Sequence, residues 1–116
     1  MLRRIRDLKP ERRESMRGGK GPGWARTYVA QGEMSGIAFV TEMALEPGTT
    51  IGLHAHERDE ELYVVLQGHG VGLLDDQRFA IGPGDAWLCQ AGHRHGVEAD
   101  PRSTLRFLAV LTQPKA

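Results

Sequence analysis

The sequence predicts an all-β fold, an antiparallel sandwich or barrel, and three observations carry that reading. Fifteen glycines and six prolines in 116 residues punctuate the chain every few positions, which favours short strands over long helices. Between them lie short runs rich in β-branched and aromatic residues, with no helical period in the intervals. The third is the stretch Gly48 to Gly68, GTTIGLHAHERDEELYVVLQG, in which two histidines and a glutamate fall on neighbouring strand-like segments.

Taken in order, residues 1–20 carry eight basic side chains (Arg3, Arg4, Arg6, Lys9, Arg12, Arg13, Arg17, Lys20) against Asp7, Glu11 and Glu14. The interleaved acids and the lack of an aromatic platform for bases argue against a nucleic-acid arm. A solvated tail or short helix is expected, with Pro10 as first helical residue and Gly18-Gly19 as its stop. Gly21-Pro22-Gly23 resets the chain, so residues 1–23 read as an N-terminal arm and 24–116 as one β domain. The arm is expected to lie over that domain or to reach a partner subunit.

From Trp24 the texture is β. Arg26 to Gln31 and Ile37 to Leu45 are expected strands, the second ending at the turn Glu46-Pro47-Gly48. Ile51 to His56 is a third, and Glu57 to Glu60 a charged, solvated loop. Glu61 to Gln67 is the strongest strand of the sequence and reads as buried. Gly68-His69-Gly70 permits a bend or bulge. Val71 to Leu74 and Arg78 to Ile81 flank Asp75-Asp76-Gln77 as a hairpin. Gly82-Pro83-Gly84-Asp85 turns the chain into Ala86 to Cys89. His93 to Glu98 follows, Asp100-Pro101 breaks it, and Leu105 to Leu111 closes the set.

A hydrophobic content of 40% and charged content of 26% describe an ordinary globular domain of one-core size. The formal net charge is zero, which points to neither a nucleic acid nor a membrane surface. No segment nears the length of a membrane span, and the N-terminus has no apolar leader. Cys89 stands alone, which fits a reducing compartment and a cytoplasmic location.

The chemistry concentrates on His54, His56 and Glu61. Histidines two apart on a strand leave the same face, and Glu61 begins the next strand. Two imidazoles and a carboxylate, with His95 downstream as a further donor, are what a divalent metal needs. Gly48, five residues, His54-x-His56, four residues, Glu61, six residues and Gly68 match the first motif of the cupins without a gap. Gly84, Gly92 and His95 match the second. Gln90 stands where that motif usually has proline and Ala99 where it has asparagine, departures that touch turn geometry rather than donor atoms.

The chain therefore resembles the small single-domain bacterial cupins, including short oxalate-decarboxylase-like ones, and the Met16 to Gly21 lead-in is similar too. The resemblance implies a double-stranded β-helix, or jelly-roll, barrel with a short N-terminal arm. It implies His54, His56, Glu61 and His95 as ligands of one divalent ion (Mn, Fe, Co, Ni or Zn), and a homodimer. Three neutral imidazoles and one carboxylate leave a divalent ion a residual charge near plus one, which attracts an anionic or chelating small molecule. Four protein donors on a six-coordinate ion leave two neighbouring positions for such a ligand.

Two function classes follow. One is a metal-dependent enzyme on a small carboxylate or sugar-like metabolite, of decarboxylase, dioxygenase or isomerase type. The other is a non-catalytic module in which the metal anchors a ligand for sensing or storage. A purely structural metal fits worse, because closed structural sites usually carry sulfur ligands. Tyr63 shares strand parity with Glu61 and should face the cavity, as catalytic acid or as packing. Trp24, Phe39, Met43, Trp87 and Phe107 read as core or pocket lining, and His69 and His93 as surface residues. Arg106 reads as an exposed strand arginine or a partner for a bound carboxylate. Cys89 reads as an inert buried thiol.

Overall fold

A computed structural model describes residues 1–114 of the chain. Its ten strands are β1 (Glu11–Glu14), β2 (Pro22–Val29), β3 (Ile37–Leu45), β4 (Thr50–His56), β5 (Glu61–Gln67), β6 (Gly70–Leu74), β7 (Gln77–Ile81), β8 (Ala86–Cys89), β9 (His93–Ala99) and β10 (Leu105–Thr112). Two antiparallel sheets face one another, a six-stranded one in the order β1-β2-β3-β10-β5-β8 and a four-stranded one in the order β4-β9-β6-β7. The neighbours are far apart in sequence, as in β3 beside β10 and β4 beside β9, which is the jelly-roll interleaving. Every strand expected from Trp24 onward is present, with ends shifted by a few residues at most except at the start of β2.

Alternation builds the core. Thr41, Met43 and Leu45 of β3, Tyr63 and Val65 of β5, and Leu105, Phe107 and Ala109 of β10 point between the sheets and are buried. Phe107 lies opposite Met43 on one side and Val65 on the other, and is fully enclosed. Val97, Ile51 and Ile81 close the core from the four-stranded sheet. Trp24 departs from its expected place, because its neighbours Gly23 and Ala25 take the inward positions on β2 and turn the indole outward.

The arm also differs from expectation. Pro10 leads into a strand, not a helix: Glu11–Glu14 pairs antiparallel with β2 from Ala25 back to Pro22. A helix this short gains little on its own, whereas the free edge of β2 offers ready-made backbone partners. All four β1 side chains are charged and exposed, a composition that blunts a sheet edge. Short 3-10 turns occupy Ile5–Asp7 and Met16–Gly18, and Met16 packs against the core. At the N-terminus Arg3 is ion-paired with Glu33 in the β2–β3 turn and holds its carboxyl down to about 2. No helix among the described residues is long and apolar enough to cross a membrane.

Candidate metal centre

The two sheets supply the cluster jointly. On the four-stranded sheet, His54 of β4 lies directly across from His95 of β9. Glu61 enters from β5 on the facing sheet. A β-bulge between Ile51 and His54 makes this possible: three steps along β4 match two along β9, from Val97 to His95. The extra residue reverses the parity of β4, so Ile51, His54 and His56 all face inward while Leu53 and Ala55 face out.

Two of the three imidazoles are held by groups that can only accept a hydrogen bond. His54 Nδ1 donates to the Gly52 carbonyl at 2.7 Å, and His56 Nδ1 donates to the Asp59 carboxylate at 2.7 Å. Both Nε2 atoms therefore carry lone pairs aimed at the cluster. His95 is fully buried and its Nδ1 has no partner among the described residues. Its ring is positioned by stacking on Tyr63, with centroids 4.5 Å apart and planes 19° from parallel. Burial, then the Gly52 contact working against it, then nearby positive charge including Arg17, leave His54 below its ordinary pKa. A neutral imidazole is the ligand form.

The spacings fit a metal ion. His56 Nε2 and His95 Nε2 are 2.9 Å apart, and Glu61 Oε1 lies 3.2 Å from the first and 3.0 Å from the second. Bonds of about 2.1 Å at right angles put neighbouring donors about 3.0 Å apart. One atom from each of His54, His56, Glu61 and His95 lies within 4.8 Å of every other, as four corners of an octahedron would. His56 Nε2, His95 Nε2 and Glu61 Oε1 thus converge on one buried point, a set of donor atoms that a single cation could join.

A cavity of about 500 Å³ opens beside the cluster, lined by His54, Glu61 and Tyr63 and walled by Phe39, Met43 and Ile51. Tyr63 is buried among Trp87, Phe107 and His95. Burial first, and the Glu61 carboxylate second, push its phenol well above 10, so it stays protonated and keeps a proton to donate. Phe39 and Met43 line the cavity, whereas Trp87 and Phe107 belong to the core.

The charged loop is not uniformly solvated. Asp59 orients His56, and Glu60 accepts a hydrogen bond from the Ala91 amide at 3.2 Å. The position of Asp59, five residues past His54 in a run of charges, gave no sign of this in the sequence. Arg106 lies on the outer face of β10, where its Nη2 and Nε donate to buried Glu42 at 2.8 and 3.1 Å. His69 and His93 are exposed, the latter bonded to Asp75 at 2.7 Å. Cys89 is buried and its thiol is pushed up to about 11, chiefly by burial, which makes it inert at neutral pH.

Fold and cluster together define a jelly-roll protein with a His/Glu cluster between its sheets that could hold a metal ion. Residues 41–111 match the Cupin domain model, and the chain belongs to the cupin family. It is 35% identical over 112 residues to an oxalate-binding protein of Thermotoga maritima, covering 96% of this chain and 93% of that relative. The crystal structure of a predicted oxalate decarboxylase from Thermotoga maritima superposes with a TM-score of 0.93 at 34% identity, over 97% of this chain and 98% of that one. The polyketide cyclase RemF from Streptomyces resistomycificus is similar at a TM-score of 0.77 and 27% identity, over 100% of this chain and 83% of that one.

Proposed function

We propose that the chain binds one divalent metal ion through His54, His56, Glu61 and His95 and uses it to anchor a small anionic chelating ligand of the oxalate type. The observation that carries this reading is the donor spacing of 2.9 to 3.2 Å at the end of a cavity. The metal supplies Lewis acidity and a net positive charge. Tyr63 supplies a hydrogen bond from a phenol that does not ionise. The Thermotoga relative named as oxalate-binding supports the ligand class.

Turnover is the second reading. Among the described residues the cavity lining holds no free carboxylate or imidazole once His54 and Glu61 serve as ligands. Tyr63 is then the one phenol among its described lining residues, and an enzyme of lyase, oxidoreductase or isomerase type would have it as the catalytic acid. A homodimer in a reducing cytoplasm completes the proposal, supported by the lone buried thiol and by the largely apolar outer faces of β5, β8 and β10, where Arg106 is neutralised by Glu42.

Protein purified without added metal should contain about one ion per chain by elemental analysis. Alanine at His54, His56 or His95 should remove most of it, and Glu61→Gln should weaken it. Oxalate should raise the melting temperature of the loaded protein only. Equal metal retention in all four variants would sink the proposal. Consumption of oxalate, 2-oxo acids or sugars by the loaded protein, lost in Tyr63→Phe, would establish turnover over binding.

A further inference from the structure

The cavity beside the cluster is lopsided in charge. Its one acidic lining residue, Glu61, belongs to the cluster, while two cations, Arg13 and Arg17, enter from the N-terminal arm. Arg13 is paired with Glu11 at 3.3 Å. Arg17 takes part in no ion pair among the described residues. Between the cluster and the arm the walls are largely apolar, with Met16, Phe39, Met43, Ile51 and Leu111. The two threonines there, Thr27 and Thr41, are bonded to each other at 3.1 Å.

Arg17 is placed where it is at a cost. Ser15 (φ 54°, ψ 42°) and Arg17 (φ 53°, ψ 38°) both sit in the left-handed region, which is unfavourable for side chains with a Cβ. The arm is clamped in this shape against β4. The Thr50 amide donates to the Lys20 carbonyl at 2.8 Å, and the Lys20 amide to Thr50 Oγ1 at 3.0 Å. Two glycines allow the approach: a Cβ on Gly52 would lie 2.1 Å from the Arg17 carbonyl, and one on Gly19 would lie 2.2 Å from the Thr50 carbonyl. A strained, closely docked segment thus holds the backbone of an exposed, unpaired arginine at one side of the cavity, with the His/Glu cluster at another.

We propose that Arg17 is the second anchor of this site, so that its ligands are dianions with a chelating head, a short apolar stem and a second acid group. This inference rests on the metal-anchored reading above. Chelation of a 2-oxo acid head at the cluster leaves the stem against Met43, Ile51 and Phe39 and the far carboxylate at the Arg17 guanidinium. Oxalate itself is much smaller than about 500 Å³ and fills only the chelating end. A 2-oxo dicarboxylate of four to six carbons is the class that satisfies both charges.

Calorimetry on the manganese-loaded full chain with 2-oxoglutarate, 2-oxopentanoate and oxalate tests this. The first two share chain length and chelating head, and differ in the second carboxylate. The native protein should prefer 2-oxoglutarate by about tenfold, the equivalent of one charge-assisted hydrogen bond. Arg17→Met should bring that ratio to about one, and Arg17→Lys should restore most of it, with metal content unchanged in both. Gly19→Ala, which displaces the segment without removing the charge, should also lower the ratio while leaving oxalate binding within about threefold. A native protein that binds both 2-oxo acids equally, or a preference that survives Arg17→Met, overturns the role of Arg17 and leaves the metal-anchored reading standing. If the loaded protein binds none of the three acids, both fall.

Discussion

Asp59 shows how much of a candidate metal centre lies one atom beyond its donor residues. Its carboxylate takes the Nδ1 proton of His56 at 2.7 Å and fixes the tautomer that presents Nε2 to the cluster. Removing such an outer partner typically costs about 10- to 100-fold in metal affinity. Asp59→Ala is expected to lower metal affinity by that factor with the same stoichiometry at saturation, measured by chelator competition. Asp59→Asn should lose less, since its amide oxygen still accepts the proton. Tyr63 offers a second test at this scale. Its phenol is buried beside Glu61 and held well above 10, while in the unfolded chain it titrates near 10. A group whose folded pKa is raised stabilises the fold fully below the unfolded value and loses that contribution as pH rises beyond it. Spectrophotometric titration should therefore leave Tyr63 protonated in the native protein above pH 10, and melting temperature should fall with alkali more steeply than in Tyr63→Phe. A native protein in which Tyr63 ionises near pH 10 would contradict the buried placement.

At the scale of elements, the strands were legible because each is short, β-rich and bounded by a turn residue. Ile37–Leu45, Glu61–Gln67 and Ala86–Cys89 begin and end at the expected residues. The cluster was legible because its donors obey a fixed spacing, and the structure brings all four together. Other features escaped for physical reasons. The bulge in β4 is a register event between two strands, and a lone Gly52 does not announce it. The pairing of β1 depends on the free edge of β2, which no local propensity encodes. The apolar run of β5 suggested burial on both faces, yet Leu66 remains 45% exposed. Continuous hydrophobicity reports two apolar faces without saying what covers the second. Gly68 was readable as a bend but not as a contact: it holds φ 87°, and a Cβ there would lie 2.1 Å from the Thr104 carbonyl. The end of β5 is thereby pressed against the entry to β10, which keeps Glu61 and Tyr63 in register with Leu111 and Ala109.

For the whole molecule, that second face of β5 has a consequence. Leu62, Val64 and Leu66 point away from the core, as do Ala86 and Leu88 of β8 and Leu108 and Val110 of β10. These three adjacent strands present no charge on that side beyond Arg106, which Glu42 neutralises. Leu66 and Leu88 are 45% and 47% exposed. A contiguous apolar sheet face of this kind marks a protein–protein surface, and a twofold axis through it would lay the same face of a second copy against it. The metal cluster lies on the opposite side of the six-stranded sheet, so association leaves the cavity accessible. Leu66→Lys with Leu88→Lys is expected to convert a dimer into a monomer by light scattering, because opposed lysines would be buried without partners. Metal content should stay at one ion per chain, since neither side chain reaches the cavity. A native protein whose scattering mass equals one chain at tens of micromolar would refute the dimer, and a double variant that stays dimeric would move the interface to another face.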